Sequence, residues 1–307
     1  MNLREIGSLI AETFREWQAD KASRLAAALS YFTLFSVAPL LVLVIRLAGQ
    51  VFSSQVVEER IVRQVGSLAG DGVAQTLSEM IRATETTGSG LLPTIIGVIV
   101  LVFGATGVFV QLEDSLNTIW KAQPQVRNGI IGLIRSRVLS FSVVLGIGFL
   151  LLVSLAVNAL LAGLTVYLGE MFALPEVGVV ILILNGLLSL VVITALFAVI
   201  YKYLPAVRIT WRDVGVGAFV TALLFLLGQF AIGAYLGHSD IASAYGAAGS
   251  LVVILVWVFY SAQIFLLGAE FTKVFAYRYG SKPVVENPLT PEAIAIEASP
   301  EAAQPGV

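Results

Sequence analysis

Six long apolar stretches constrain this chain more than any other feature of its sequence. A bilayer core about 30 Å thick is crossed by about 20 helical residues, and each stretch reaches that length. The runs are continuous rather than alternating, which disfavours the strands of a membrane barrel. We therefore predict an all-α, polytopic membrane protein with six transmembrane helices between residues 26 and 279. The predicted spans cover approximately residues 29–51, 91–110, 138–168, 177–203, 214–236 and 249–274.

The composition limits the chemistry that the chain can perform. Only 12% of the residues are charged, against about a quarter in a soluble domain, so most of the surface is expected to face lipid. The chain has no cysteine, which excludes a disulfide framework, a thiolate metal site and a cysteine nucleophile. With a single histidine, it also lacks a histidine cluster for metal binding or acid–base catalysis. We expect no metal, no cofactor and no enzymatic activity.

Lysine and arginine are distributed asymmetrically among the predicted loops. Fourteen lie in the N-terminal segment, the second and fourth loops and the C-terminal side, while three lie in the first loop. The third and fifth loops contain none. Because basic residues concentrate on the cytoplasmic side of membrane proteins, the pattern predicts that both termini are cytoplasmic.

Three segments outside the spans have patterns of their own. Residues 1–25 place apolar side chains at spacings of three and four, which predicts an amphipathic helix in the cytoplasmic interface. Residues 54–88 contain apolar helical faces on either side of Gly70-Asp71-Gly72, which indicates an external helical hairpin between the first two spans. Residues 280–307 contain five prolines, four glutamates and one lysine without apolar periodicity, so we expect a disordered, acidic cytoplasmic tail.

The first span carries hydroxyl side chains beside a proline. Ser30, Thr33 and Ser36 fall along one side of the helix, and Pro39 frees a backbone carbonyl that such hydroxyls can help to satisfy. One interpretation is packing between helices around a kink, and the other is a polar lining for a substrate path. Amides in other spans allow interhelical hydrogen bonding or convergence on one cavity. These amides are Asn158, Asn185, Gln229 and Gln263.

Two charged residues are further candidates. Arg46 is the one formal charge well inside a predicted span, about 10 Å outward of its midpoint. It either snorkels to the outer interface or forms a site for an anion or a lipid headgroup. Glu270 lies near the cytoplasmic end of the last span, three residues before Lys273, which favours an ion pair at the interface. It is also the nearest candidate for a proton-coupling carboxylate.

The residue inventory disfavours an enzyme that acts on RNA. Such a protein needs a cytoplasmic basic face and either a metal-binding carboxylate cluster or general acid–base residues. The single histidine, His238, is predicted to be external, and Glu113 and Asp114 point about 100° apart on a helix. The net charge of −2 gives no reason to expect nucleic acid as a partner.

Several short motifs occur along the chain, and the most distinctive is AAALSYFTLFSVAPL at residues 26–40. This stretch resembles the opening signature of the YihY/BrkB family of bacterial inner-membrane proteins. The resemblance covers about residues 10–280, and Arg46 matches no motif of the family. Further similar motifs follow in order at residues 116–120 (LNTIW), 203–205 (YLP) with Trp211, 245–249 (YGAAG) and 267–270 (LGAE).

The resemblance implies a six-helix protein of the bacterial cytoplasmic membrane. Members have carried a ribonuclease label, which the residue inventory argues against, and a link to resistance against host killing, which is a phenotype. Some are connected with moving lipids or lipopolysaccharide precursors out of the inner membrane, which suits a chain without an ATP-binding loop. We therefore expect a transporter or a protein that translocates lipids or envelope precursors. The alternative is a non-transporting scaffold that binds an envelope partner.

The expected partners are membrane lipids, together with an envelope protein or further copies of the chain. The external hairpin suits either function, since it can guide lipid or contact a partner. A transport path predicts one continuous cavity lined by Ser30, Thr33, Asn158, Asn185 and Gln229. If these residues instead lie in separate contacts between helices, the transport hypothesis loses its main physical support.

Overall fold

The fold is almost entirely helical. A computed structural model describes residues 2–48, 54–69, 74–75, 77–79, 81, 107–122, 175–238, 249–283 and 285. No strand occurs within these residues, and an isolated antiparallel bridge joins Val207 to Val285. The all-α prediction is confirmed for this part of the chain. Its helices are α1 (Leu3–Ala19), α2 (Ala22–Ala48), α3 (Ser54–Ala69), α4 (residues 107–120), α5 (Pro175–Tyr203), α6 (Trp211–His238) and α7 (Gly249–Arg278).

Three of these helices are long and apolar enough to cross a membrane. α5, α6 and α7 contain 29, 28 and 30 residues, which corresponds to about 42–45 Å of helix. Large apolar side chains on their surfaces are open to the surroundings, including Leu227 at 70% and Phe230 at 82% exposure. Hydrocarbon is the solvent that fits such a surface. The apolar windows are Gly186–Tyr203, Trp211–Ile232 and Leu251–Arg278.

The other predicted spans fall partly or wholly outside the described residues. α2 covers residues 29–48 of the first span, whose residues 49–51 lie outside the described part. It begins before the span, at Ala22, because the alanine-rich turns ahead of Leu29 favour a helix. α4 includes the end of the second span, whose residues 91–106 lie outside the described part. The third span, residues 138–168, lies entirely outside it.

Both segments that precede the second span are helical where they are described. α1 is the predicted amphipathic helix, and it ends before Lys21, whose φ of 51° departs from helical geometry. The predicted hairpin contains α3, which contacts α2. Its second arm is helical at residues 74–75, 77–79 and 81.

Asp213 ties the segment after α7 to the start of α6. Its Oδ2 accepts hydrogen bonds from the backbone N–H and the hydroxyl of Ser281, at 2.9 and 2.6 Å. Thr210 caps the helix by accepting the Asp213 N–H at 3.5 Å. These hydrogen bonds of Ser281, together with the bridge between Val207 and Val285, lie at the start of the segment that was expected to be disordered from residue 280. Residues 286–307 lie outside the described part.

The chain forms two compact units, and each has buried residues of its own. The first comprises residues 1–13, 113–219 and 269–307, and the second comprises residues 14–112 and 220–268. The unit boundaries pass through helices, so α1, α4, α6 and α7 each contribute to both.

The core of the first unit brings together motifs that are far apart in the sequence. Asn117 is buried, and its Oδ1 accepts a hydrogen bond from the backbone N–H of Ala206 at 2.8 Å. The ring of Trp120, also buried, lies 6.2 Å from the ring of Tyr277. The motifs around residues 116–120 and 203–205 therefore have a structural role in holding α4, the α5–α6 connection and α7 together.

Small residues let helices approach closely within each unit. A Cβ atom added at Gly217 of α6 would overlap Thr272 of α7, at 2.7 Å from its Cβ. In the second unit, a Cβ at Gly107 would lie 3.0 Å from Phe32 Cε1. Close contacts of this kind are typical of helices that pack inside a membrane.

Candidate functional site

The hydroxyl groups of α2 bond to carbonyls of their own helix. Ser30, Thr33 and Ser36 donate to carbonyls three or four residues earlier, at 2.7–3.0 Å. The carbonyl that Pro39 frees belongs to Phe35, and none of the three hydroxyls donates to it. The structure therefore differs from the expectation that these hydroxyls satisfy that carbonyl. Back-bonding within a helix satisfies a hydroxyl without any ligand.

Several predicted site residues cannot be assigned to a surface. Asn158 lies outside the described residues. Pro39 and Arg46 lie in α2 and Asn185 lies in α5, and the described part of the structure does not extend to their side chains. The α2 helix is continuous through Pro39, from Ala22 to Ala48.

An apolar cavity lies in the second unit, beside the end of α1. Its volume is about 430 Å³, within the range of roughly 300–1,000 Å³ that small-molecule pockets have. Aromatic and aliphatic side chains make up nearly all of its wall, so it suits an apolar occupant. The lining residues are Phe14 and Trp17 of α1, Leu224, Leu227, Gly228 and Ala231 of α6, and Tyr260, Gln263, Ile264 and Leu267 of α7.

Two polar atoms in the wall of this cavity are buried without a hydrogen-bond partner among the described residues. They are the indole Nε1 of Trp17 and the amide Oε1 of Gln263. The other amide atom of Gln263, Nε2, donates to the Ser23 hydroxyl at 3.1 Å. Neither atom is accessible to solvent, so the surface that the cavity presents is mainly apolar. Such a surface fits the apolar part of an amphiphilic ligand.

The cavity includes only one of the polar residues that the sequence singled out. Gln263 is in its lining, whereas Gln229, Ser30 and Thr33 are not among its described lining residues. The described lining of this cavity therefore does not include the hydroxyl side chains of α2 that were predicted to line a polar path. Sequence reasoning missed Trp17 as a site residue, because its place in the amphipathic pattern of α1 indicated only a membrane-facing side chain.

Glu270 pairs with Lys273 inside α7. The carboxylate Oε2 lies 2.9 Å from the Lys273 Nζ, as the three-residue spacing predicts. The pair is more buried than an interface pair would be, with 0% and 8% of the two side chains exposed. Because removal of one partner leaves a buried charge, this pair is a structural feature that mutation of either residue would disturb strongly.

Aromatic and basic side chains of the first unit contact one another where α5 ends and α6 begins. Tyr203 and Trp211 are exposed and make an edge-to-face contact at 6.0 Å. The Lys202 Nζ lies 5.9 Å from the Trp211 ring centroid and donates to the Ile209 carbonyl. Such clusters are typical of the interface between a membrane and water. The sequence contained this signal, since the same residues flank the apolar spans.

The described lining of the cavity is mainly apolar. It contains no carboxylate, histidine, lysine or hydroxyl nucleophile apart from the Tyr260 phenol. The described lining residues therefore present no acid–base pair to a ligand.

Comparison with known proteins gives the chain's relatives. A UPF0761 membrane protein of Chromohalobacter salexigens is 29% identical over 263 residues, which cover 85% of this chain and 61% of that protein. The relative of the same name in Mannheimia succiniciproducens is 26% identical over 281 residues, covering 89% of this chain and 91% of the relative. A third, from Pseudomonas paraeruginosa, is 30% identical over 259 residues, covering 81% of this chain and 58% of the relative.

The chain thus spans about three-fifths of two of these relatives and most of the other. No solved structure matches it. The family described as virulence factor BrkB matches residues 13–292, a range that contains every motif quoted above. Because this match covers most of its length, the chain belongs to the YihY/BrkB family of membrane proteins.

Proposed function

We propose that this chain is a six-helix protein of the bacterial cytoplasmic membrane that translocates an amphiphilic substrate, a lipid or an envelope precursor. Both termini are cytoplasmic in this proposal. The distribution of lysine and arginine supports the orientation, and the cluster of Tyr203, Trp211 and Lys202 supports a membrane–water interface where α5 ends. Membrane lipids are its partners, and neither nucleic acid nor enzymatic turnover is part of the proposed activity.

The observation that carries this proposal is the cavity of the second unit. The apolar body of such a substrate matches its apolar wall, and the exposure of Phe14 and Leu227 shows that this wall reaches the surface of the unit. Lipids and lipid-linked precursors have this chemistry. A water-soluble substrate would instead leave most of the wall in contact with polar groups, which costs free energy.

Lipid scrambling in reconstituted liposomes tests the proposal. Purified chain is inserted into liposomes that contain a trace of fluorescent phospholipid, and an impermeant reductant then bleaches the outer leaflet. We expect complete bleaching with the wild-type chain and partial bleaching in protein-free liposomes. Ala231→Trp places an indole in the cavity lining, so we expect it to slow scrambling by about tenfold or more.

Ala234→Trp is the matched control. Ala234 is an exposed residue one helical turn further along α6 and is not among the cavity lining residues. Its variant should scramble at the wild-type rate. Equal rates for both tryptophan variants, or no scrambling by the wild-type chain with any lipid or lipid-linked precursor tried, would contradict the proposal.

A non-transporting scaffold is the second candidate, and the surface of α3 favours it. Glu59 and Arg63 of this helix form a loose pair at 4.0 Å, with 72% and 78% of their side chains exposed. A charged, solvated helix face can contact an envelope protein or a second copy of the chain through complementary charges. Charge reversal at both positions should abolish cross-linking to such a partner while scrambling is unchanged, if the scaffold function is the correct one.

A further inference from the structure

We propose that the first unit binds anionic phospholipid headgroups on a surface beside the end of α5, which we name the basic rim. Its four cations belong to the end of α5, the α5–α6 connection, the start of α6 and the segment after α7, all within the first unit. The inference goes beyond the proposed function, because a chain that translocates nothing can still enrich anionic lipid around itself. The basic rim consists of Lys202, Arg208, Arg212 and Lys282.

A junction between two distant segments brings two of these cations together. Ser281, after α7, donates its backbone N–H and its hydroxyl to Asp213 Oδ2 at 2.9 and 2.6 Å. Lys282 follows Ser281 in the chain and Arg212 precedes Asp213, so the two cations lie beside the same junction. Both are exposed. A lysine and an arginine that are far apart in the sequence therefore border one area of the surface.

The other two cations lie at the end of α5 and in the connection that follows it. The antiparallel bridge between Val207 and Val285 holds the segment after α7 against this connection, next to the exposed Arg208. The Lys202 Nζ lies 5.9 Å from the ring centroid of Trp211, the first residue of α6. Backbone contacts and an aromatic ring thus hold the four cations in one region of the first unit.

Acidic residues do little to neutralise the basic rim. Asp213 is the only carboxylate within residues 200–213 and 278–283, which the structure describes, and it is buried, with 1% exposure. Arg278 is a further cation at the end of α7, but it pairs with Glu12 at 3.4 Å and is not counted in the rim. The exposed charge of these residues is therefore positive, and an anion is the partner that complements it.

The position of the basic rim along the helices favours a lipid headgroup as that anion. The apolar windows of α5 and α7 end at Tyr203 and Arg278, and the window of α6 begins at Trp211. The basic rim therefore lies where the hydrocarbon ends, which is the level of the lipid headgroups. Tyr203 and Trp211 are exposed there, as aromatic side chains are at membrane interfaces. Lysine and arginine near a bilayer surface attract anionic lipids.

Quenching of Trp211 by brominated lipids tests this surface. The chain is reconstituted into bilayers of equal parts phosphatidylglycerol and phosphatidylcholine, in which one lipid or the other has brominated acyl chains. The contribution of Trp211 is the difference between the wild-type chain and the Trp211→Phe variant. At low salt we expect phosphatidylglycerol to be enriched about fivefold next to Trp211, the effect of roughly one cation near a bilayer surface.

Salt provides a second measurement on the same chain, so the test does not depend on the folding of a charge variant. The cations of the basic rim are largely exposed, and at about 1 M KCl the Debye length is only about 3 Å. We expect the enrichment to fall towards equal contact with the two lipids. An enrichment that high salt leaves unchanged would overturn the inference, because exposed cations could not be its cause.

Arg212→Gln combined with Lys282→Gln removes the two cations beside the junction. We expect this variant to reduce the enrichment by about threefold or more. Arg212→Lys combined with Lys282→Arg keeps both charges and should restore the enrichment. Arg60→Gln combined with Arg63→Gln is the control for net charge, since it removes two exposed cations from α3, in the loop predicted on the other side of the membrane. That control should keep the wild-type enrichment.

Two further outcomes would contradict the inference. The first is equal contact of the two lipids with Trp211 in the wild-type chain, or an enrichment that survives Arg212→Gln with Lys282→Gln. The second is binding of a fluorescent single-stranded RNA through these two residues without enrichment of phosphatidylglycerol, which would assign the surface to nucleic acid. Enrichment is measured without translocation, so failure of the scrambling experiment leaves this result intact.

Discussion

Gly217 sets how closely α6 and α7 can pack. Thr272 occupies the space that a side chain at Gly217 would fill. The Cβ and Cγ2 atoms of Thr272 would lie 2.7 and 2.9 Å from a methyl group added at Gly217. A threonine Cβ cannot move without its backbone, so Gly217→Ala must push the helices apart. We expect this substitution to lower the free energy of unfolding by about 1–3 kcal/mol. Thermal unfolding of the purified chain in detergent measures the effect.

Gly215→Ala is the control for that prediction. Gly215 lies two residues before Gly217 on the same helix, and a Cβ added there would meet no heavy atom within 4 Å. Alanine costs less conformational entropy than glycine in a helix, so this variant should be as stable as wild type or more stable by about 0.5–1 kcal/mol. Similar destabilisation at both positions would mean that the contact with Thr272 does not limit the packing.

The hydrogen-bond partner of Asn117 could not be predicted from the sequence. The motif at residues 116–120 marked it as part of a family resemblance, but its partner, the Ala206 N–H, is 89 positions away. No helical periodicity connects residues at that separation. Ser30 and Ser36 illustrate the opposite case, because their positions suggested a shared polar lining and each bonds within its own helix.

At the scale of helices, Asp213 is the connection most open to test. Its carboxylate accepts both hydrogen bonds of Ser281 and is buried beside Gly280. Asp213→Ala removes both bonds, which we expect to lower the free energy of unfolding by about 1.5–3 kcal/mol. It should also speed chymotryptic cleavage after the exposed Tyr279, because the segment beyond α7 loses its attachment. Arg212→Ala changes an exposed neighbour and should leave the cleavage rate unchanged; equal rates in both variants would argue against this anchor.

Helix prediction succeeded where the sequence had a clear pattern and stopped where it had none. α1 has polar and apolar sides, so its existence and its buried Leu9 follow from spacing. α5, α6 and α7 are apolar on every side, so their lengths were predictable but the faces they turn to one another were not. The cavity depends on those faces. Gln263 was therefore a candidate by composition alone, and Trp17 was not recognised as its neighbour in the cavity wall.

For the whole molecule, the distribution of charge predicts an orientation that no buried contact can reveal. An apolar helix has the same hydrocarbon around it in either orientation across the membrane. The packing of α6 on α7 would also be the same in both orientations. Only the loops distinguish the two sides, because basic segments are retained in the cytoplasm. The same reasoning predicts that the first loop is external, since it separates two predicted spans and carries three of the eighteen basic residues.

Single-cysteine labelling tests that orientation directly, because the natural chain contains no cysteine and needs no prior substitution. Gln55 and Ala19 are exposed, on α3 and at the end of α1 respectively. With the outer membrane opened, we expect an impermeant maleimide to label Gln55→Cys in intact cells. Ala19→Cys and Val307→Cys should react only after the cytoplasmic membrane is disrupted. Labelling of Ala19→Cys from outside, with Gln55→Cys protected, would invert the topology and place the end of α1, with Phe14 and Trp17, on the external side.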